Sequence, residues 1–160
     1  MFTYIRSILN ILFYIFSDKR EKINEDILRY YESYGIKVEY HNKKYLIREL
    51  VTVSKRSREF LSLFYFRIGR EMKKMHLSTL LMNLFPSKKE IIFGISEENV
   101  KGGVFIQHGN STIIHAQKIG YNFSVYQNVT IGALSLGRGQ LLKGIKRHPT
   151  IKDNVTIYSN

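Results

Sequence analysis

The chain has 160 residues, 44% of them hydrophobic and 24% charged, with only two prolines; this is enough apolar material for a buried core and excludes both a disordered polymer and a large multidomain machine. With no cysteine, disulfide scaffolds, thiolate zinc sites, iron–sulfur clusters and cysteine nucleophiles are excluded, which suits a reducing cytoplasm. The formal net charge of +12 favours an anionic partner such as nucleic acid, a membrane surface or a phosphorylated ligand.

Residues 1–16 are almost wholly apolar, broken by Thr3, Arg6, Ser7 and Asn10, and give way to a charged run at Asp18. A membrane span needs about 20 apolar residues, so the stretch is short for one, and it lacks the basic start and small-residue cleavage site of a secretory leader. It reads as a helix buried in a helical layer or at a subunit contact. Peripheral attachment to the inner membrane face is the alternative, because Lys19, Arg20 and Lys22 adjoin the apolar run.

Asp18 and Glu21 have capping-box spacing, and Ile23, Ile27, Tyr30, Tyr31 and Tyr34 follow at helical offsets until Gly35. Residues 36–53 are ambiguous, with only YLIRELV reading as helix. From Ser57, Phe60, Leu61, Phe64, Tyr65 and Ile68 again recur with a helical period, which predicts a helix ending at Gly69. A further helix is expected over Glu71 to Leu84, closed by Pro86. Residues 1–85 thus read as a helical domain. Aromatics interleaved with Lys and Arg invite a nucleic-acid reading, but aromatic stripes at helical spacing are the ordinary contents of a core, and no nucleic-acid motif accompanies them.

From residue 113 the period changes to six. Ile113, Ile119, Val125 and Ile131 recur in register, and the pattern resumes at Ile151 and Ile157. A short fixed period is a solenoid signature, in which each coil buries its interior only against its neighbours. Val129 and Val155 fall at a second inward position, Gly120 and Gly132 follow an aliphatic, and Asn122, Asn128 and Asn154 fall where the chain must turn. The 20 residues from Ile131 to Ile151 break the period, so a loop must leave the regular path there. Residues 91–160 hold seven basic and three acidic side chains, so paired-carboxylate chemistry is poorly supplied and histidine is the natural proton carrier. No P-loop, dinucleotide fingerprint or metal-ligand pattern is present.

The segments GGVFIQHGNSTII, IGYNFSVYQNVTIG and RHPTIKDNV resemble, in order, the catalytic region of serine acetyltransferase-like hexapeptide-repeat acyltransferases. REFLSLFYFRIG in the helical layer is similar to bacterial members linked to polysaccharide O-acetylation. The resemblance implies a mainly α N-terminal layer, a left-handed parallel β-helix over residues 91–160, and an acetyl-CoA-dependent O-acetyltransferase that uses no metal. It further implies a homotrimer or dimer of trimers, with the site in the cleft between adjacent subunits. His108, in Gln107-His108-Gly109, matches the family's catalytic base, while Arg147 and His148 match the pair that meets the acceptor. Coenzyme A would lie along the outside of the coils, with Lys143, Lys146 and Lys152 as candidates by charge alone.

Two departures bear on the acceptor. Where serine acetyltransferases place an Asp before the catalytic His this chain has Gln107, and the place of an upstream Asp that orients the imidazole falls near Phe93, where no carboxylate is present. Glu97 or Glu98 could replace the orienter only if the turn is shifted. A neutral Gln107 cannot pair with an ammonium, which favours a sugar hydroxyl over serine, although Arg147 and His148 argue the other way. His115 reads as a surface or interface residue, and His41 and His76 have no partner motif. The repeats stop at Asn160 partway through a coil, which reads as a truncated product or an end covered by another subunit. A non-catalytic trimeric remnant of the family is the rival reading.

Overall fold

The computed structural model describes residues 2–38, 46–74, 90–132 and 148–159. Four helices come first: α1 (Phe2–Phe16), α2 (Arg20–Ser33), α3 (Ile47–Arg56) and α4 (Arg58–Lys74). Their apolar stripes meet in one core built from Phe13, Tyr14, Ile23, Ile27, Leu50, Val53, Phe60, Phe64 and Ile68. Each such side chain, fully buried, contributes about 1.5–3 kcal/mol relative to exposure. Tyr14 sits inside this core because its hydroxyl is paired. It donates to Asn24 Oδ1 at 2.6 Å and accepts from the Leu46 amide at 2.7 Å.

Three local expectations meet different outcomes. The N-cap position falls on Lys19, one residue past the expected Asp18: helix α2 begins at Arg20, the Lys19 amide donates to Ser17 Oγ at 3.0 Å, and Asp18 pairs with the Lys19 ammonium. Gly35 does end α2, with φ +67° and the Gly35 and Ile36 amides returning to Glu32 and Tyr31 carbonyls. Gly69, by contrast, does not end α4. Ser57 caps that helix through the Phe60 amide at 3.0 Å, and the helix continues through Gly69 to Lys74, so the separate helix expected from Glu71 starts inside α4. One interior glycine costs about 1 kcal/mol, which does not break the helix. The remainder of that expected helix, with Pro86, lies outside the described residues.

Eight short strands follow: β1 (Ile91–Phe93), β2 (Phe105–Ile106), β3 (Thr112–Ile114), β4 (Lys118–Ile119), β5 (Ser124–Val125), β6 (Thr130–Ile131), β7 (Thr150–Ile151) and β8 (Thr156–Ile157). They pair in parallel as β1-β3-β6, β2-β5-β8 and β4-β7, and Val100 bridges to Ile119 ahead of β4. Successive segments therefore visit three faces in rotation, and each coil lies under the one before it. Ile119, Val125, Ile131 and Ile151 line one interior with Val100, Ile106 and Ile114. Asn122, Asn128 and Asn154 take φ of 56°, 58° and 59° at the corners, as expected of Asn, and Asn122 Nδ2 donates to Asn154 Oδ1 at 3.0 Å.

The six-residue phase needs one correction. Ile113 does not stack inside; the register pairs Ile114 with Ile131 and Ile113 with Thr130. Thr112 and Ile114 both point inward and are buried, while Ile113 is only partly covered. The corner after β2 is longer than the corner after β5, with Ile106 to Ile114 matching Val125 to Ile131. That corner adds two residues to the six-residue step and the next step, Ile114 to Ile119, is one short of it, so the inward position falls on Ile114 rather than Ile113.

Apolar side chains of the helices dock on the coils. Tyr30 and Tyr34 of α2 meet Phe105 edge-on, with centroids 6.3 and 6.0 Å apart. Leu63 of α4 enters the solenoid core, and Phe66 stacks on Phe93 at 4.3 Å. On the far side of α1, Tyr4, Ile5, Ile8, Leu12 and Phe16 are exposed. No helix among the described residues is long and apolar enough to cross a membrane.

Candidate active site

His108 stands on the lengthened corner between β2 and β3, exposed, with φ +63°; Gly109 follows at +52° and Ser111 at +49°. Left-handed backbone outside glycine is uncommon, although His tolerates it better than most, and it costs about 1–3 kcal/mol when the surroundings impose it. Gly109 explains part of the imposition. A Cβ there would come within 2.7 Å of Ile91 Cδ1 and 3.2 Å of Glu59 Cγ, so the corner is pressed against β1 and the start of α4. Gln107, partly exposed, is tied by its amide to the Val125 carbonyl at 3.0 Å.

The coil leading to His108 is held by a buried charge cluster. Arg67 is fully buried and uses all five of its donors. Nε and Nη2 reach the two Asp26 oxygens at 2.9 and 3.1 Å, Nη1 reaches Glu97 Oε1 and the Val100 carbonyl, and Nη2 also reaches the Lys101 carbonyl at 2.7 Å. Asp26 Oδ1 accepts the Val104 amide at 2.8 Å, and Lys22 completes Glu97 at 2.7 Å. Burial pushes the Asp26 carboxyl up, opposed by Arg67 and the Val104 and Gly103 amides. Burial also works against the Arg67 charge, but Asp26 and Glu97 raise its affinity for the proton. Five satisfied donors keep this pair ionised.

Glu97, one of the expected substitutes for the orienting Asp, gives Oε1 to Lys22 and Arg67, while its buried Oε2 lies 3.7 Å from the Lys19 ammonium and accepts no hydrogen bond among the described residues. Phe93, standing near where the family's orienting Asp is expected, is stacked on Phe66.

The remaining candidates divide. His148 lies at the corner entering β7, where the adjoining Pro149 carbonyl accepts the Gln117 amide at 2.8 Å. Its ring lies 4.3 Å from that of His115, tilted by 34°. His115, expected as a surface or interface residue, is exposed and its ring packs against that of His148. Its one sequence signal was its place just past β3. His108 and His148 stand on different edges of the three-faced solenoid, so one chain does not bring them together. Lys152 is exposed on the turn after β7. Lys143, Lys146, Arg147 and the expected loop lie outside the described residues, as do His41 and His76. Arg67 was missed altogether, because a cation within an amphipathic helix reads as solvated until its partners on other elements are known.

No protein-family model matches the chain. A plasmid-borne serine acetyltransferase of Synechococcus elongatus is 44% identical over 64 residues, which is 38% of this chain and 20% of that protein. A serine acetyltransferase of Staphylococcus xylosus is 44% identical over 55 residues, 34% of this chain and 23% of that one. The crystal structure of Entamoeba histolytica serine acetyltransferase 1 in complex with L-cysteine aligns with a TM-score of 0.56 and 25% identity, covering 97% of this chain and 55% of that one. The chain thus matches about a fifth of the length of the curated relatives and about half of the solved structure. Over the matched segment the chain is similar in sequence to serine acetyltransferases, and over nearly its whole length it is similar in fold to one of them.

Proposed function

We propose that the protein transfers an acetyl group from acetyl-CoA to a hydroxyl acceptor, with His108 as general base, on a solenoid wound in the left-handed sense. The observation that carries this reading is the exposed, left-handed corner that presents His108 beside a glycine packed against β1 and α4. An imidazole titrates near neutrality, so it can take the acceptor proton as the oxygen attacks the thioester carbonyl. The carbon–sulfur bond then breaks, and the imidazolium returns the proton to the departing thiolate, giving an O-acetyl ester and coenzyme A.

Because His108 and His148 occupy different edges, the reading includes a trimer whose clefts join His108 of one subunit to Arg147 and His148 of the next. Lys143, Lys146 and Lys152 would meet coenzyme A phosphates along the coils. Serine is the first acceptor to test, given the relatives' names. Gln107 supports a second reading, a sugar hydroxyl, because its neutral amide offers an ammonium no counter-charge.

The test is acetyl transfer assayed by thiol release, with L-serine and a panel of neutral sugars as acceptors. The expected result is transfer to one class, with about 100-fold or greater loss in His108→Ala. Unchanged transfer in that variant would overturn the assignment.

A further inference from the structure

We propose that His115 is a positioning residue that fixes the His148 imidazole for the acceptor, a statement that rests on the transferase reading above. Pairing of Phe93 with Ile114 and of Ile114 with Ile131 places Gly94, His115 and Gly132 in one column at the end of the first face. His115 is the only member of that column with a side chain. A Cβ on Gly94 would lie 3.0 Å from His115 Cγ and 3.2 Å from Cδ2. The ring is therefore backed closely by the Gly94 backbone on one side, and it meets the His148 ring at 4.3 Å.

His148 needs such a support. Its backbone is tethered at the next residue by the Gln117 amide, and Pro149 restricts its φ and ψ. Its Nδ1 is buried and makes no hydrogen bond among the described residues, so nothing at that atom fixes the ring about its own axis. The tilted His115 ring packed against it can do so. The unpartnered nitrogen has a further meaning. A buried polar atom without a partner is costly, and a hydroxyl-bearing ligand at Nδ1 would relieve that cost. The stack leaves this nitrogen unspent and sets its direction. Gly94 belongs to the same device, since a larger residue there would displace His115.

The experiment has two readouts on the intact protein. In the first, imidazole carbon–proton NMR resonances of the unliganded protein are compared with those of His115→Ala and His115→Phe. Loss of the neighbouring ring should move the His148 resonance in His115→Ala, while His115→Phe retains a ring-current shift. In the second, transfer to L-serine, or to the sugar that proves to be the acceptor, is measured in the same variants. The KM for the acceptor should rise about tenfold in His115→Ala, with the KM for acetyl-CoA unchanged, and His115→Phe should recover to within about twofold. An unmoved His148 resonance, or an unchanged acceptor KM, would overturn the proposal. If the wild-type chain transfers no acetyl group at all, the transferase reading fails with the acceptor role, whereas the resonances alone still decide whether His115 holds His148.

Discussion

Arg67 on α4 and Asp26 on α2 form a two-point ion pair, at 2.9 and 3.1 Å, that also grips the backbone of residues 100–104. The consequence is mechanical as much as energetic. The strand that ends at His108 starts from a segment bolted to two helices, so the helical layer sets where the first coil begins. Arg67→Met should therefore destabilise the protein by about 3–5 kcal/mol, because Asp26 would remain buried without its partner. Arg67→Lys should recover little, since an ammonium cannot span both carboxylate oxygens and two carbonyls. The double variant Arg67→Met with Asp26→Leu should be milder than Arg67→Met alone, as urea denaturation midpoints would show.

Glycines separate into those that fit a contact and those that do not. A Cβ on Gly120 would lie 2.7 Å from the Asp153 amide nitrogen and 2.7 Å from the Lys152 carbonyl carbon, backbone atoms of the coil below. Gly120→Ala should cost about 1–3 kcal/mol through forced separation of the coils. Gly69, in α4, has nothing within 4 Å of its Cβ position, and Gly69→Ala should stabilise by about 0.5–1 kcal/mol. Thermal melts of the two variants should move in opposite directions.

The hexad pattern was legible because its cause is local and repeated: one inward aliphatic per face, with Asn at the corners, stamped three times over. The slip at Ile113 was not legible, since Ile113 and Ile114 are chemically identical and only the lengths of the corners on either side decide which one turns inward. Helix α4 was misjudged at Gly69 for a related reason. Glycine is a stop signal when the following residues gain nothing by continuing, and no property of residue 69 itself reports on that. The histidine partnership shows the same limit more sharply. His115 and His148 lie 33 positions apart, and they meet only because β4 pairs with β7, Lys118 against Thr150. His108, in contrast, stood out only through the resemblance of Gln107-His108-Gly109 to the family motif, and its left-handed corner was not read from the sequence.

Tyr65 should give the protein an alkaline weakness. Burial, the largest influence, pushes its phenol up to about 12 against an ordinary value near 10, with Arg6 and the Asn10 hydrogen bond pulling weakly the other way. Between those values the unfolded chain sheds the proton while the folded chain keeps it, so the folded state binds more protons and loses stability as pH rises. Below pH 10 the contribution is fully present; it fades as pH climbs toward 12. Denaturation midpoints at pH 9 and 11.5 should therefore fall less in Tyr65→Phe than in the wild-type chain. Equal falls in both proteins would remove Tyr65 from the account.

The backbone at His108 allows stability and chemistry to be pulled apart. The left-handed φ of +63° is a conformation that glycine adopts without steric penalty and alanine resists by about 1–2 kcal/mol. His108→Gly should then be at least as stable as His108→Ala, with a difference of about 1 kcal/mol in its favour, although glycine ordinarily weakens a chain through the unfolded state. Both variants lack the imidazole, so both should lose acetyl transfer by the same factor. Activity that followed the stability order, higher in His108→Gly than in His108→Ala, would mean that the corner's geometry, and not its ring, is what the reaction needs.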